Sequence, residues 1–512
     1  MVYLPGTLPC FEEFGNLPTD LVQEDGLVKG KPASEALDMI IIPGGSLVES
    51  QTINDTIIRE IRRMAEVGKF VLGICSGFQI LAKDTDIGRL SSTPILREGL
   101  GLLDAKFKPL ICTDRVKATV VGKSFLTVEI GKEVTGFHCH TYGKIDLGKD
   151  SKSILVSHVH RVNYCANPQD LISGIANKEG NVVGVSVHAL VENNPLIIRG
   201  ISKSLDISPE ELQEIRVTNA KLLRDIKSEV GISTNIRTHS RTQKAKAPAV
   251  LLITALGSGS GKTFIVTGVA GALKKRGVNL GLMKVGGDIR DSVPALYLIK
   301  EPVKGYSSIK VGNSGWKPFS EAVKEAERKY DLILIEGAMS AFTGFLNENV
   351  ERPSSTAEVA VASGAPTIVV VACDKEGIEG ALVNTLNFVD LMRKLGVRMT
   401  GVILNKVRTS YLTEEISLFM KKAFENVGVK LLGVVPRVEL EGRGTIPEVE
   451  IRYEEFGAKA IEIAESSIDL DALTELATTP IIHTVNYEEL TEKFKSLLTT
   501  DFRSNFGRGE NC

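Results

Sequence analysis

The chain has 512 residues, too many for one hydrophobic core, so at least two domains are expected. With 43% apolar and 24% charged residues it is neither disordered nor fibrous, and a net charge of −2 offers no field to attract nucleic acid or an anionic membrane. No apolar run nears the roughly 20 residues that span a bilayer, and "MVYLPGTLPC" has no basic segment ahead of an apolar one, so a cytoplasmic protein is expected.

"ALDMIIIPGG" (residues 36–45) reads as a buried strand that ends in a tight loop. "NDTIIREIRRMAEVG" (54–68) has apolar residues at helical spacing, with Asn54 or Asp55 as cap and Gly68 as stop. "KFVLGIC" is the next strand. Strand, helix, strand at this spacing predicts a parallel sheet covered on both faces. From about 110 to 190, "KATVVG", "FLTVEIG" and "NVVGVSVH" predict antiparallel additions. Residues 207–230 read as one helix, with Ser208 as N-cap and Glu211 at the capping-box position. Residues 231–249 are polar and basic and read as an interdomain tether, whose Arg237, Arg241, Lys244 and Lys246 could bind an anion but are expected to be solvated. From 250 the alternation restarts as a second parallel domain, with helices at 262–276, 317–329, 379–395 and 413–426 between apolar strands.

A thiol stands at the bend of "GICSGF" (73–78). Seven scattered cysteines without a C-x-x-C pair suit a reducing compartment, so this one is a free thiol. The G-x-C-x-G form is that of a nucleophile elbow, where a strand turns abruptly into a helix and leaves the side chain of Cys75 pointing out. The helix N-terminus favours the thiolate. The Ser76 amide is one oxyanion donor, and Gly45 of the "PGGS" loop (43–46) is the second. His188 stands at the end of an apolar strand and is the candidate base, with Glu192 the nearest carboxylate to orient it. Two His-x-His pairs, His138/His140 and His158/His160, alternate as metal ligands on a strand can. Nothing nearby completes a ligand set. His140 is instead expected beside the thiol's pocket or at an interface shared by the two domains.

The PGG loop, elbow and terminal histidine, over roughly residues 1–200, resemble class I (triad-type) glutamine amidotransferases. The resemblance implies glutamine hydrolysis through a thioester on Cys75, with ammonia passed to a second site. Those enzymes usually end in His-Pro-Glu, whereas Leu190 stands two residues past His188. The branch acting in corrinoid amidation commonly lacks that glutamate, and "REGLGLLDAKF" (97–107) and "GFHCHTYGK" (136–144) look like its text.

"GSGSGKT" follows a strand and precedes a helix, as a phosphate loop must. Its residues Gly257, Ser258, Gly259, Ser260 and Gly261 would surround a β-phosphate with amides, Lys262 would neutralise it, and Thr263 would offer a hydroxyl to Mg²⁺. Leu256 replaces the first glycine of the generic motif. Over about 250–475 the chain resembles the ATP domain of the cobyrinate a,c-diamide synthase and cobyric acid synthase family, related to dethiobiotin synthetase. "KVGGDIRD" (284–291), "LILIEGAM" (332–339), "SSTAEVA" (354–360), "GVILNKV" (401–407) and "IDLDALTELA" (468–477) carry the likeness in family order. It implies substrate and metal roles for Lys284, Asp288 and Asp291, a Mg²⁺ carboxylate in Glu336, and adenine reading by Asn405 with "GVVPR" (433–437) closing over the base. Two features depart from the family: Thr343 precedes Gly344 where an aspartate is usual, and the amidotransferase half comes first.

The expectation is an α/β protein of two parallel-sheet domains, a flavodoxin-like class I glutamine amidotransferase domain and a P-loop, dethiobiotin-synthetase-like domain. Their bounds are 1–200 and 249–477, with a helix and basic linker at 201–248 and a frayed, polar tail at 478–512. The resemblance implies a glutamine-hydrolysing carbon–nitrogen ligase that uses ATP and Mg²⁺ and forms an acyl phosphate. Its partners would be glutamine and a carboxylate small molecule, a tetrapyrrole such as cobyrinate or another acid, with no nucleic acid or membrane, and a homodimer is compatible. A nucleotide switch is the rival from another class, but such loops often carry an early lysine where this one has Leu256, Gly257 and Ser258. A stand-alone glutaminase subunit of purine synthesis, whose text "ICSGFQIL" also resembles, is set aside by the attached ATP domain.

Overall fold

Phe70–Ile74 and Val182–Val185 are apolar along their whole length because the sheet they enter is covered on both faces. The computed structural model describes residues 1–2, 4, 14–47, 52–128, 131, 133–229, 247–327, 329–347, 351–439 and 451–504. The chain forms two units, one carried by the chain up to Ser233 and the other by most of the chain beyond it.

In the first unit a seven-stranded sheet runs in the spatial order Met39–Ile42, Phe70–Ile74, Val182–Val185, Cys165–Asn177, Ser151–Val162, Arg115–Val120, Glu133–Phe137. The first three strands are parallel, with Ile42 opposite Gly73 and Val185 opposite Ile74, so their C-terminal ends align. The rest are antiparallel additions. "FLTVEIG" differs from its reading as a strand: residues 125–128 form a turn, with the Ser124 and Thr127 hydroxyls 3.2 Å apart. The helix Asp55–Glu66 starts where Asn54 accepts from the Thr56 and Ile57 amides, a cap worth about 1 kcal/mol. It buries Ile57, Ile61 and Met64, one face at helical spacing.

The helix Pro209–Glu229 opens on the expected capping box, with reciprocal bonds between Ser208 and Glu211. It belongs to the first unit, where buried Asn219 donates to Pro18 O at 2.9 Å. The linker cations Arg237, Arg241, Lys244 and Lys246 lie outside the described residues.

The second unit is an all-parallel sheet in the order Ser308–Ile309, Leu280–Val285, Leu332–Glu336, Ala249–Ala255, Thr367–Ala372, Met399–Val407, Lys430–Pro436. Its central strand, Ala249–Ala255, leads into the glycine loop, so the loop opens at the C-terminal edge of the sheet where α/β ligands bind. The tail departs from its frayed reading. Tyr487–Ser504 is a helix whose Leu490 and Phe494 enter the core, with the Phe494 ring 4.5 Å from that of Phe345. Among the described residues no helix is long and apolar enough to cross a membrane.

Candidate functional site

Two sites emerge, each at the C-terminal ends of parallel strands. In the first unit Cys75 joins the strand Phe70–Ile74 to the helix Ser76–Leu81 with φ 50° and ψ −108°, a conformation that costs a residue with a side chain about 1–3 kcal/mol. Close packing enforces the bend. A Cβ on Gly77 would fall 2.2 Å from Ile42 O, so the helix start lies directly against the entry to the PGG loop. That places the half-buried Gly45 and the amide of buried Ser76 on neighbouring strand ends. On the other flank, Cys75 N donates to Val185 O at 2.8 Å, three residues before His188.

His188 is 1% exposed and zipped to Phe137 by two backbone hydrogen bonds of 2.8 and 3.2 Å, with the rings stacked at 5.2 Å. Two residues on, Cys139 O accepts from Cys75 Sγ at 3.7 Å. The fold therefore places Cys75, Ser76, Gly45 and His188, from three chain segments, at three adjoining strand ends. Glu192 sits half-buried on the short helix Leu190–Asn193 that follows. His138, which the sequence reading did not place in the site, is buried here as well. Its Nδ1 lies 3.2 Å from Ser186 O and 2.9 Å from His140 Nε2. Burial, reinforced by the neighbouring His188, pushes the His138 pKa down to about 3. The other pair, His158 and His160, is on the exposed hairpin, with His158 Nδ1 2.9 Å from Asp170. Among the described residues no group of three or more His, Cys, Asp or Glu is arranged to hold a metal.

In the second unit the loop Gly257–Gly261 turns into the helix Lys262–Lys275. Glu336, fully buried at the end of Leu332–Glu336, is the hub. Its Oε1 accepts from Thr263 Oγ1 at 2.8 Å and faces the Lys262 and Lys284 ammoniums at 3.2 Å each, while Ser292 reaches Oε2 at 3.4 Å. Lys284 also pairs with Asp291 at 2.8 Å and donates to Gly337 O at 3.1 Å. Burial opposes the charge on both lysines. For Lys262 burial and the like charge of Lys284 prevail, and its pKa falls despite Glu336. For Lys284 the two carboxylates outweigh burial and hold the ammonium above lysine's usual value. Asp291 shifts down: burial raises it, but Lys284 more than offsets that.

Two further carried-over residues have partners of their own within this unit. Asp288 makes a two-pronged pair with Arg290, both contacts 2.8 Å. Asn405 is tied to the loop itself, its Nδ2 donating to Ser260 O at 2.8 Å and its Oδ1 accepting from Lys406 N. Lys406, unsuspected from the sequence, donates to Gly259 O at 2.7 Å and lies 3.5 Å from Asp374. A loop of amides leading to two buried lysines and a carboxylate–hydroxyl pair suits a polyphosphate with a hard divalent cation.

Residues 10–196 match the CobB/CobQ-like glutamine amidotransferase domain, and residues 251–444 match the CobQ/CobB/MinD/ParA nucleotide binding domain. Hydrogenobyrinate a,c-diamide synthase of Mycobacterium bovis is 33% identical over 198 residues, which are 38% of this chain and 41% of that protein. Cobyric acid synthase of Thermoanaerobacter sp. is 31% identical over 189 residues, 34% of this chain and 36% of that protein. The chain thus spans less than half the length of these relatives. The MinD cell division protein of Aquifex aeolicus aligns over 44% of this chain and 95% of that structure, at 16% identity and a TM-score of 0.27. The two halves thus match two separate domain models, a CobB/CobQ-like glutamine amidotransferase domain first and a CobQ/CobB/MinD/ParA nucleotide binding domain second.

Proposed function

We propose that this protein is a glutamine-dependent, ATP-consuming amide ligase that acts on a carboxylate-bearing tetrapyrrole, most like cobyrinate a,c-diamide synthase. One observation carries the reading: a strained thiol elbow flanked by a histidine and a phosphate loop converging on Glu336 occur in one chain, each at the C-terminal edge of its own sheet.

A carboxylate resists nucleophiles because of its negative charge. Transfer of a phosphoryl group to it makes an acyl phosphate, from which ammonia displaces phosphate. Lys262 and the loop amides suit the nucleotide's phosphates, and Lys284, kept charged by Asp291 and Glu336, suits the transferring group or the substrate acid. The Thr263 hydroxyl and Glu336 carboxylate are hard oxygen donors that would hold Mg²⁺, which would offset charge on the phosphates. Asp288, paired with Arg290, shapes the loop, and Asn405 holds Ser260 in place. Cys75 supplies the ammonia: its thiolate attacks the glutamine amide, His188 takes the thiol proton and returns it to the leaving ammonia, and Ser76 and Gly45 amides receive the oxyanion. Chemistry that draws on ATP and glutamine fits the cytoplasm.

The test is ADP release with glutamine and Mg²⁺, screened across corrinoid, nickel-tetrapyrrole and simple dicarboxylic acids with product masses read in parallel. ADP release that depends on one acid, with an amide product lost in Cys75→Ala, supports the ligase and identifies its substrate. ATP hydrolysis indifferent to every acid, with no amide formed, sinks it in favour of a nucleotide switch.

A further inference from the structure

Residues 137–140 touch both the thiol and the histidine proposed above as its base. Phe137 holds His188 by two backbone bonds and a ring stack, and Cys139 O accepts from Cys75 Sγ. Between them, buried His138 fastens this segment to Ser186, two residues ahead of His188. Its protonation follows from its partners. Ser186 O can only accept, so the tautomer with hydrogen on His138 Nδ1, 3.2 Å away, is the one that satisfies it. In that tautomer His140 Nε2, 2.9 Å from the same nitrogen, faces it as an acceptor. His138 Nε2 has no hydrogen-bond partner among the described residues, which suits a neutral ring more than a second donor. The chain is packed closely around these imidazoles: a Cβ on Gly143 would fall 2.0 Å from His140 Cε1, well inside van der Waals contact.

We propose that residues 137–140 form a clamp that sets the geometry between Cys75 and His188, and that His138, as the neutral Nδ1–H imidazole, is the positioning residue that locks it. The inference rests on the reading of Cys75 as a glutaminase nucleophile. In the half-reaction the S–H bond of Cys75 breaks, its proton forms an N–H bond on His188, and the electron pair stays on sulfur. His138 takes no proton. Its neutrality matters because a second cation beside the His188 imidazolium would oppose that transfer.

The experiment compares His138→Phe, which removes the donor, with His138→Asn, whose amide puts an N–H near the same place. Two quantities are read: glutamine hydrolysis, and the pH midpoint of Cys75 alkylation by iodoacetamide, followed on the Cys75 peptide by mass. For His138→Phe, kcat is expected to fall about 100-fold with KM nearly constant, as misplacing a catalytic pair by about 1 Å can cost. The alkylation midpoint should rise by about one pH unit as the thiolate loses its imidazolium partner. His138→Asn should recover most of both. The titratable groups around His138 are His140, His188, Cys75, Cys139, Cys112 and Asp114, and none of them is altered. A folded His138→Phe with wild-type kcat and midpoint, or an Asn variant as impaired as Phe, overturns the clamp. If wild type hydrolyses no glutamine and the midpoint still moves in Phe alone, the clamp stands while the glutaminase reading falls. Should neither variant fold, ¹⁵N-histidine NMR of the intact protein decides. A neutral Nδ1–H ring from pH 5 to 9 is expected, and a His138 bearing hydrogen on Nε2, or titrating in that range, overturns the proposal.

Discussion

Glu336 has no exposed surface, yet it faces two ammoniums and a hydroxyl through one oxygen. Such a carboxylate is worth more by its removal than by its presence, because a neutral replacement leaves buried cations without a counter-charge. Glu336→Gln keeps the shape and removes the charge. It should lower stability by about 3 kcal/mol in urea unfolding, with Lys262 more exposed to the loss than Lys284, which keeps Asp291. His138 gives the opposite kind of dependence. Its folded pKa of about 3 lies below the unfolded value of about 6.5, so between these limits the unfolded chain binds the extra proton. Stability therefore falls as pH drops from about 6.5 towards about 3, by up to about 1.4 kcal/mol per pH unit from this residue alone. Subtracting the unfolding profile of His138→Asn from that of wild type should isolate this slope. A flat difference across the window would show that the ring is protonated in the fold.

At the scale of the element, the elbow depends on the absence of a side chain. Gly77 backs onto Ile42 O, so Gly77→Ala must push the helix Ser76–Leu81 away from the neighbouring strand. A cost of about 1–3 kcal/mol is expected from overpacking, and Cys75 should lose its reactivity towards iodoacetamide at neutral pH. The elbow and the strands were legible because local text dictates them: glycines two residues either side of a thiol, and apolar runs such as "FVLGI" and "LILIE" that only a doubly covered sheet can bury. Other features were not. The place of Asn405 depends on a bond to Ser260, 145 residues away, which no local pattern announces. His138 read as half of an alternating pair because its partner, Ser186 O, is a backbone atom 48 residues away, just past the end of the strand Val182–Val185. The tail helix did carry Leu490, Phe494 and Leu497 at helical spacing, but that signal is diluted by the charged residues of the opposite face, and the phenylalanines it meets lie about 150 residues earlier.

At the scale of the molecule, each proposed half-reaction has its side chains within one unit: Cys75, His188 and His138 in the first, and Lys262, Lys284, Glu336 and Asn405 in the second. That separation makes a prediction about nitrogen. If the first unit serves only to release ammonia, ammonium salts should replace it, because free ammonia attacks an acyl phosphate without help from a thiol. With ¹⁵N-labelled glutamine, Cys75→Ala should give no labelled amide. With ¹⁵N-ammonium at alkaline pH, the same variant should amidate near the wild-type rate. Glu336→Gln should fail with both nitrogen sources, since it strikes the phosphoryl site that either source needs. The identity of the acid does not enter this comparison, so it holds for any substrate that the screen reveals. Loss of ammonium-driven product in Cys75→Ala would instead mean that the thiol site has to be intact for the second unit to work, and the two units could no longer be read as separable chemistries joined by one diffusing molecule.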